Sequence, residues 1–285
     1  MENLAFRFVL TYFPKSLYFR TECSCGMNSE IRRENRQDNT MRLNQEMQLQ
    51  GRWLFRWRSY LPLVFLVLLI PAVVSYRPLE SYYVGLLWEI GCLFVGLFGM
   101  AIRCSVTGYA PANTSGRNSK EQIAETLNTK GMYSLIRNPL YLGNFFIGSA
   151  PILLLHAWWL YVIYVLAFAL YYERIILTEE AFLCQKFGTD YEQWSAETSA
   201  FFPRHFRWQN PDLPFSGKHV LRREYHGLFA LVAAMAAVKF VCDFHTRNSV
   251  SFDPFWMVIF AVSAVVYIVV RVLAKFTHFL HVEGR

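Results

Sequence analysis

The chain has 285 residues, of which 54% are hydrophobic, 17% aromatic and only 17% charged. A soluble domain averages about 25% charged residues, and the mean hydropathy here is positive. These figures exclude disorder, collagen and a disulfide-dense miniprotein, and make an integral membrane protein the default. The formal net charge is +7, but the cations lie between apolar runs and not along one stripe. That argues for orientation in a membrane and contact with anionic headgroups, not for nucleic-acid binding. Six scattered cysteines, with only Cys23 and Cys25 close in sequence, support neither a metal site nor a disulfide framework.

In chain order, residues 1–58 form a polar, basic tail. Its partly apolar stretch, residues 6–19, is interrupted by Arg7, Pro14 and Lys15 and lacks the unbroken core of a signal peptide. Spans are predicted at residues 61–75 and 82–102. Residues 140–172 then run for 33 positions without Asp, Glu, Lys or Arg. As one helix this run would reach about 50 Å against a hydrocarbon core of about 30 Å, so it must fold back. Pro151 and His156 place the turn near residue 156, with His156 read as a polar turn residue. Two further spans are predicted at residues 225–242 and 255–270. The expected fold is an all-α integral membrane protein with about six transmembrane helices, including a helical hairpin at residues 139–175.

Lys and Arg number ten in residues 1–58, five in 103–137, seven in 174–224 and three in 271–285. The short connections on the other side carry only Arg77 and Arg247. The alternation puts both termini in the cytoplasm. Glycines 85, 91, 96 and 99 mark the second span as one that packs closely. Glu89, the acid inside that span, lies at a depth similar to Lys239, and a structural ion pair between them is expected.

Chemistry is expected where the two long polar connections flank the hairpin. Asn138-Pro139 reads as a helix start, whose first-turn N–H groups and neighbouring Arg137 suit an anion. Glu173, Glu180 and Cys184 are near neighbours if the second helix continues, and Gly188 reads as its C-terminus. Carboxylates at a membrane rim suit an ammonium or a sulfonium. No Gly-rich soluble nucleotide motif is present.

The stretch GMYSLIRNPLYLGNFFIG, the hairpin, then EEAFLCQKFGTDYEQW and Pro203-Arg204 resemble the isoprenylcysteine carboxyl methyltransferase and phospholipid methyltransferase superfamily. The family pattern is filled at Gly131, Tyr133, Arg137, Asn138, Pro139, Tyr141 and Gly143, and again at Glu179, Glu180, Leu183, Phe187, Gly188 and Tyr191. Asn138 stands where His is frequent. The resemblance implies an S-adenosylmethionine-dependent O-methyltransferase. Tyr133, Arg137, Asn138, Pro139 and Tyr141 would line the cofactor from one side, and Glu179 and Glu180 from the other. Arg137 and Glu180 are the residues on which catalysis is expected to rest, with Arg204 and Tyr191 as lesser candidates.

Residues 114–131 and 221–227 are further similar to bacterial lipid A phosphate methyltransferases. This implies an inner-membrane enzyme whose amphiphilic acceptor is a lipid phosphate, such as the lipid A 1-phosphate, met by Arg103, Arg117, Arg222 and Arg223 together with Lys120. A prenylcysteine carboxylate is the alternative acceptor, and a nicotinamide-dependent membrane reductase with a similar hairpin the alternative enzyme. A non-enzymatic scaffold or transporter is disfavoured by the absence of a repeat. Residues 59–130 then carry two spans and an inner loop, 131–204 the methyltransferase-like core, and 205–285 an inner loop and the last two spans.

Overall fold

The computed structural model describes residues 65–111, 125–250 and 252–282, with isolated positions at 46, 50, 53, 54 and 284. Arg117 and Lys120 lie outside the described residues, as does most of the N-terminal tail. Among the described residues the structure is all-helical: α1 (Phe65–Val74), α2 (Tyr82–Thr107), a 3₁₀ turn (Gly131–Ser134), α3 (Pro139–Leu153), α4 (Trp158–Phe187), α5 (Thr189–Glu197), α6 (Gly217–Arg247) and α7 (Pro254–Phe276).

Four of these helices, α2, α4, α6 and α7, are long and apolar enough to cross a membrane. The chain is therefore an integral, multi-pass membrane protein. Six apolar helices are present among the described residues, four of them of spanning length. Helix α3 has 15 residues, about 22 Å at the rise of an α-helix, which falls short of the hydrocarbon core. The described part of α1 has 10.

The outward face of the bundle is apolar in the way a bilayer requires. On α7, Trp256, Ser263 and Val270 are buried, a seven-residue repeat that lays one narrow stripe against the bundle. Val258, Val262, Val265, Ile268, Val269 and Val272 on the same helix are exposed. A water-soluble protein does not leave an apolar surface of that extent uncovered. The core beneath it joins Cys92 and Met100 of α2, Ala150 of α3, Leu231 and Met235 of α6 and Trp256 of α7.

Helices α2 and α3 make the tightest approach. A Cβ on Gly99 would sit 2.5 Å from the Gly143 carbonyl oxygen and 2.9 Å from the Ile147 nitrogen, and one on Gly143 would sit 2.7 Å from Arg103 Cγ. Gly96 likewise lies against Leu231 and Ala150, whereas Gly85 and Gly91 have open space where a side chain would be. Close packing therefore accounts for two of the four glycines in α2 and not for all of them.

The hairpin turns at residues 154–157. His156 adopts a left-handed conformation, φ 54°, and its ring lies 5.5 Å from both Tyr76 and Trp88. It is a turn residue, as expected. Pro151 does not end α3, which continues to Leu153.

Near this end of the bundle the expected ion pair forms. Lys239 Nζ lies 2.8 Å from Glu89 Oε1 and 3.1 Å from Asp243 Oδ1, and Trp256 Nε1 donates to Glu89 Oε2 at 2.7 Å. One ammonium thus holds two carboxylates inside the bundle. Cys184 is disulfide-bonded, while Cys92, Cys104 and Cys242 are free.

Two stability predictions follow from this packing. Gly99→Ala forces backbone apart and lowers the thermal unfolding temperature in detergent, while Gly91→Ala, with room to spare, leaves it unchanged or raised; equal effects would refute the close-approach account. Lys239→Met strands two buried carboxylates and costs about 3–5 kcal/mol. Glu89→Gln costs less, because Lys239 keeps Asp243; chemical denaturation of both variants measures the difference.

Candidate functional site

The site is built where the segments before α3 and after α4 meet. Pro139 starts α3, and Asn138 is the residue before it. The Asn138 side chain does not cap the helix; its Nδ2 donates instead to the Ala200 carbonyl at 3.3 Å. Its backbone does the same work: Arg137 N donates to Ser199 O at 2.8 Å and Asn138 N to Ala200 O at 3.2 Å. Ile136 and Ser199 form a parallel bridge. Further along, Trp194 Nε1 donates to Tyr133 O at 3.1 Å, and Gly131 N donates to Gln209 O at 2.9 Å. Gly131 has a φ of 62°, the left-handed region that favours glycine. Two connections distant in sequence are thus stitched into one floor.

Helix α4 supplies the opposing wall. It runs unbroken for 30 residues, about 45 Å, and carries Glu173 at its middle and Glu179, Glu180 and Cys184 toward its end. Gly188 ends it at a φ of 53°, its N–H donating to Cys184 O at 2.8 Å, as the sequence led one to expect.

The expected partners are brought together. Arg137 Nε lies 3.1 Å from Glu180 Oε1, with both side chains nearly buried, and Arg137 Nη1 donates to the Ser195 carbonyl at 2.8 Å. The two ionic groups are within ion-pair distance, yet the alignment completes no hydrogen bond: Arg137 Nε and Glu180 Oε1 remain without one. Tyr191 Oη and Ser199 Oγ are buried and unpartnered as well. The cationic and acidic sides therefore touch each other. Native proteins leave few buried polar atoms unsatisfied, and such groups call for an explanation.

Glu179, one position along, turns to the other side and accepts from Tyr141 Oη at 2.6 Å. Tyr141 packs on Tyr172 with ring centroids 4.6 Å apart. Loss of solvent pushes the Tyr133 phenol up from its ordinary pKa, and the Glu179 charge adds to this. The Tyr191 phenol is raised in the same way, by burial first and then by Glu180. Both therefore remain protonated donors at neutral pH. Arg204 is exposed at the edge of this region.

Sequence reasoning missed one part of the site. Arg103 makes a two-pronged contact with Glu224: Nε to Oε2 at 2.9 Å and Nη2 to Oε1 at 3.0 Å. Thr107 Oγ1 donates to the same carboxylate at 3.0 Å, and Arg103 Nη1 donates to Asn144 Oδ1 at 2.7 Å. Asn144 Nδ2 reaches Tyr172 Oη at 3.4 Å, so the network runs from α6 to the tyrosines beside Glu179. Arg103 is thus committed to Glu224 and is not an open cation. The four arginines expected to meet an acceptor are not one group. Arg103 faces the site, Arg222 lies against the segment after α7, Arg223 is half-buried on α6, and Arg117 is outside the described residues. The phase of α6, which decides this, is not legible in LRREYHG without the neighbouring helices.

Three comparisons bear on the site. Residues 90–190 match the phospholipid methyltransferase family model, a range that contains α2, α3, α4 and both Arg137 and Glu180. Among curated proteins the chain is similar to the nickel-cobalt-cadmium resistance protein NccN of Alcaligenes xylosoxydans xylosoxydans. The two are 30% identical over 149 residues, covering 52% of this chain and 63% of that protein. It is also 32% identical over 112 residues to the cobalt-zinc-cadmium resistance protein CzcN of Cupriavidus metallidurans, covering 39% and 49%. The chain thus spans less than two thirds of the length of these relatives. No solved structure matches. Through the segment that builds the hairpin and its ionic junction, the chain is similar to the phospholipid methyltransferase family.

Proposed function

We propose that the protein is an S-adenosylmethionine-dependent methyltransferase acting on an amphiphilic lipid, with a lipid phosphate oxygen as the acceptor. The observation that carries this reading is the Arg137–Glu180 junction, a buried ion pair whose facing atoms lack hydrogen bonds. A zwitterionic amino-acid group suits it: the Arg137 guanidinium takes a carboxylate as a fork, and Glu180 takes an ammonium. Tyr191 and Ser199 offer two further buried hydroxyls. Glu179 with Tyr133, Tyr141 and Tyr172 gives an acidic, aromatic-lined flank of the kind that favours a cation. Asn138 and Pro139 set the path of the backbone here through their contact with residue 200 and the start of α3. When bound, the cofactor supplies an electrophilic methyl group on a sulfonium. The chain's own work is alignment and exclusion of water, and an anionic acceptor needs no strong base.

The acceptor reading draws on the relatives. Their names speak of resistance to nickel, cobalt, zinc and cadmium. Forming an O–CH₃ bond on a lipid phosphate removes one negative charge from the membrane surface, and with it part of the attraction for divalent cations. In the orientation given by the lysine and arginine distribution, the site faces the cytoplasm.

Purified full-length protein in detergent is expected to transfer labelled methyl from S-adenosylmethionine to a bacterial lipid extract, with mass spectrometry finding the gain on a phosphate ester. Label on an amine headgroup would overturn the acceptor and leave the methyltransferase; no label would overturn both. Arg137→Ala and Glu180→Ala should each lower the transfer rate by on the order of 10²-fold, as expected for lost alignment. Thermal stabilisation by S-adenosylmethionine should disappear in both variants. Stabilisation by a reduced nicotinamide dinucleotide instead would favour the reductase alternative.

A further inference from the structure

We infer a second binding site, for a phosphate-bearing anion, at the junction of α6 with the segment that follows α7. A cavity of about 360 Å³ there is lined by Arg222, Lys275, Thr277, His278 and His281, with Leu280 as part of its wall. Four nitrogen-bearing side chains converge on it, and among the described residues its lining includes no acid. Arg222 Nη1 lies 3.4 Å from His281 Nδ1, within hydrogen-bond distance. One turn before Arg222, Lys218 adds a further cation, its Nζ 4.6 Å from the centre of the Phe279 ring.

This arrangement differs from the three buried ion-paired centres of the bundle. Arg103 is held by Glu224, Arg137 by Glu180, and Lys239 by Glu89 and Asp243. Among the described residues, Arg222 and Lys275 have no such carboxylate. Gathering like charges around a cavity is unfavourable unless an anion joins them, and arginine and lysine together suit a phosphate.

The segment is also built as a fixed structure. Thr277 Oγ1 accepts from Phe279 N at 3.3 Å, His281 N donates to His278 O at 2.9 Å, and Leu280 is buried to 2% exposure as an anchor. Phe276 and Phe279 stay exposed beside the cavity, just past the last apolar turn of α7. That is the level at which aromatic side chains meet lipid headgroups.

The site is separate from the ionic junction. Arg222 and Glu224 are two positions apart on α6, about 200° around a helix of 3.6 residues per turn, and it is Glu224 that faces Arg103. The inference therefore does not rest on methyl transfer.

Full-length protein in a neutral detergent is titrated with phosphatidylglycerol, phosphatidylcholine and inorganic phosphate, following its thermal unfolding. A saturable rise with phosphatidylglycerol, stronger than with phosphatidylcholine, is expected. Arg222→Gln/Lys275→Gln should weaken half-saturation about tenfold or more, the effect of losing two charge-assisted contacts, while Arg271→Gln, a cation outside the cavity, should not. Inorganic phosphate acting as well as the lipid would support the anion site and identify free phosphate as its source. Equal responses to the two lipids without any response to phosphate, or an unaltered response in the double variant, would overturn the site. Both substituted residues are exposed, and the unliganded unfolding temperature of each variant confirms that it is folded.

Discussion

The two arms of the hairpin differ in length by a factor of two, 15 residues against 30, and this mismatch governs the functional end of the molecule. The arms share a turn at residues 154–157, so their other ends cannot be level. The long arm overshoots a hydrocarbon core of about 30 Å and carries Glu179 and Glu180 beyond its apolar stretch. The short arm stops below, and the chain leading into it must descend alongside the long one. Arg137 sits on that descent. The meeting of Arg137 with Glu180 follows from geometry as much as from their mutual attraction, and the bridge of residues 136–138 to 199–200 holds the descending strand in place.

Two of the buried ionic centres of the bundle differ in how fully their polar atoms are satisfied. At Glu89, both carboxylate oxygens are engaged, one by Lys239 and one by the Trp256 indole. Such a centre locks α2, α6 and α7 in register. At Arg137, the guanidinium has one firm hydrogen bond, to a backbone carbonyl, and meets Glu180 at a poor angle. Four buried polar atoms around that contact lack partners. At the Glu89 centre, Asp243 Oδ2 is the one buried atom without a hydrogen bond, and buried polar groups gain stability when they are satisfied.

Much of this was legible in the sequence where local chemistry decides the structure. A 33-residue uncharged run forces a hairpin because no single helix that long fits a bilayer. Pro139 and Gly188 mark helix ends because one lacks an N–H and the other tolerates a positive φ. Glu89 and Lys239 pair because each would be costly alone. What stayed hidden depends on helix phase and on contacts distant in sequence. Asn138 has the composition of a cap but finds Ala200 instead. Glu224, in a basic stretch, reads as one more rim charge until α2 places Arg103 opposite it. Gly91 and Gly99 are indistinguishable as letters, yet one faces open space and the other a backbone carbonyl.

Helix α6 carries this dependence on phase furthest. Its first turns place Arg222 and Glu224 two residues apart and so on different sides of the bundle. The glutamate neutralises Arg103 and extends a hydrogen-bond path through Asn144 to the tyrosines next to Glu179. The arginine looks away, into a cavity where it has no acid to meet. Arginines that seem equivalent as a string of basic residues therefore have different electrostatic roles: one is consumed by the protein itself and one remains available to an outside anion. Counting cations at the rim would assign both to a single acceptor. The helix phase assigns the first to the architecture of the site and the second to whatever anion the membrane or the solvent brings to its edge.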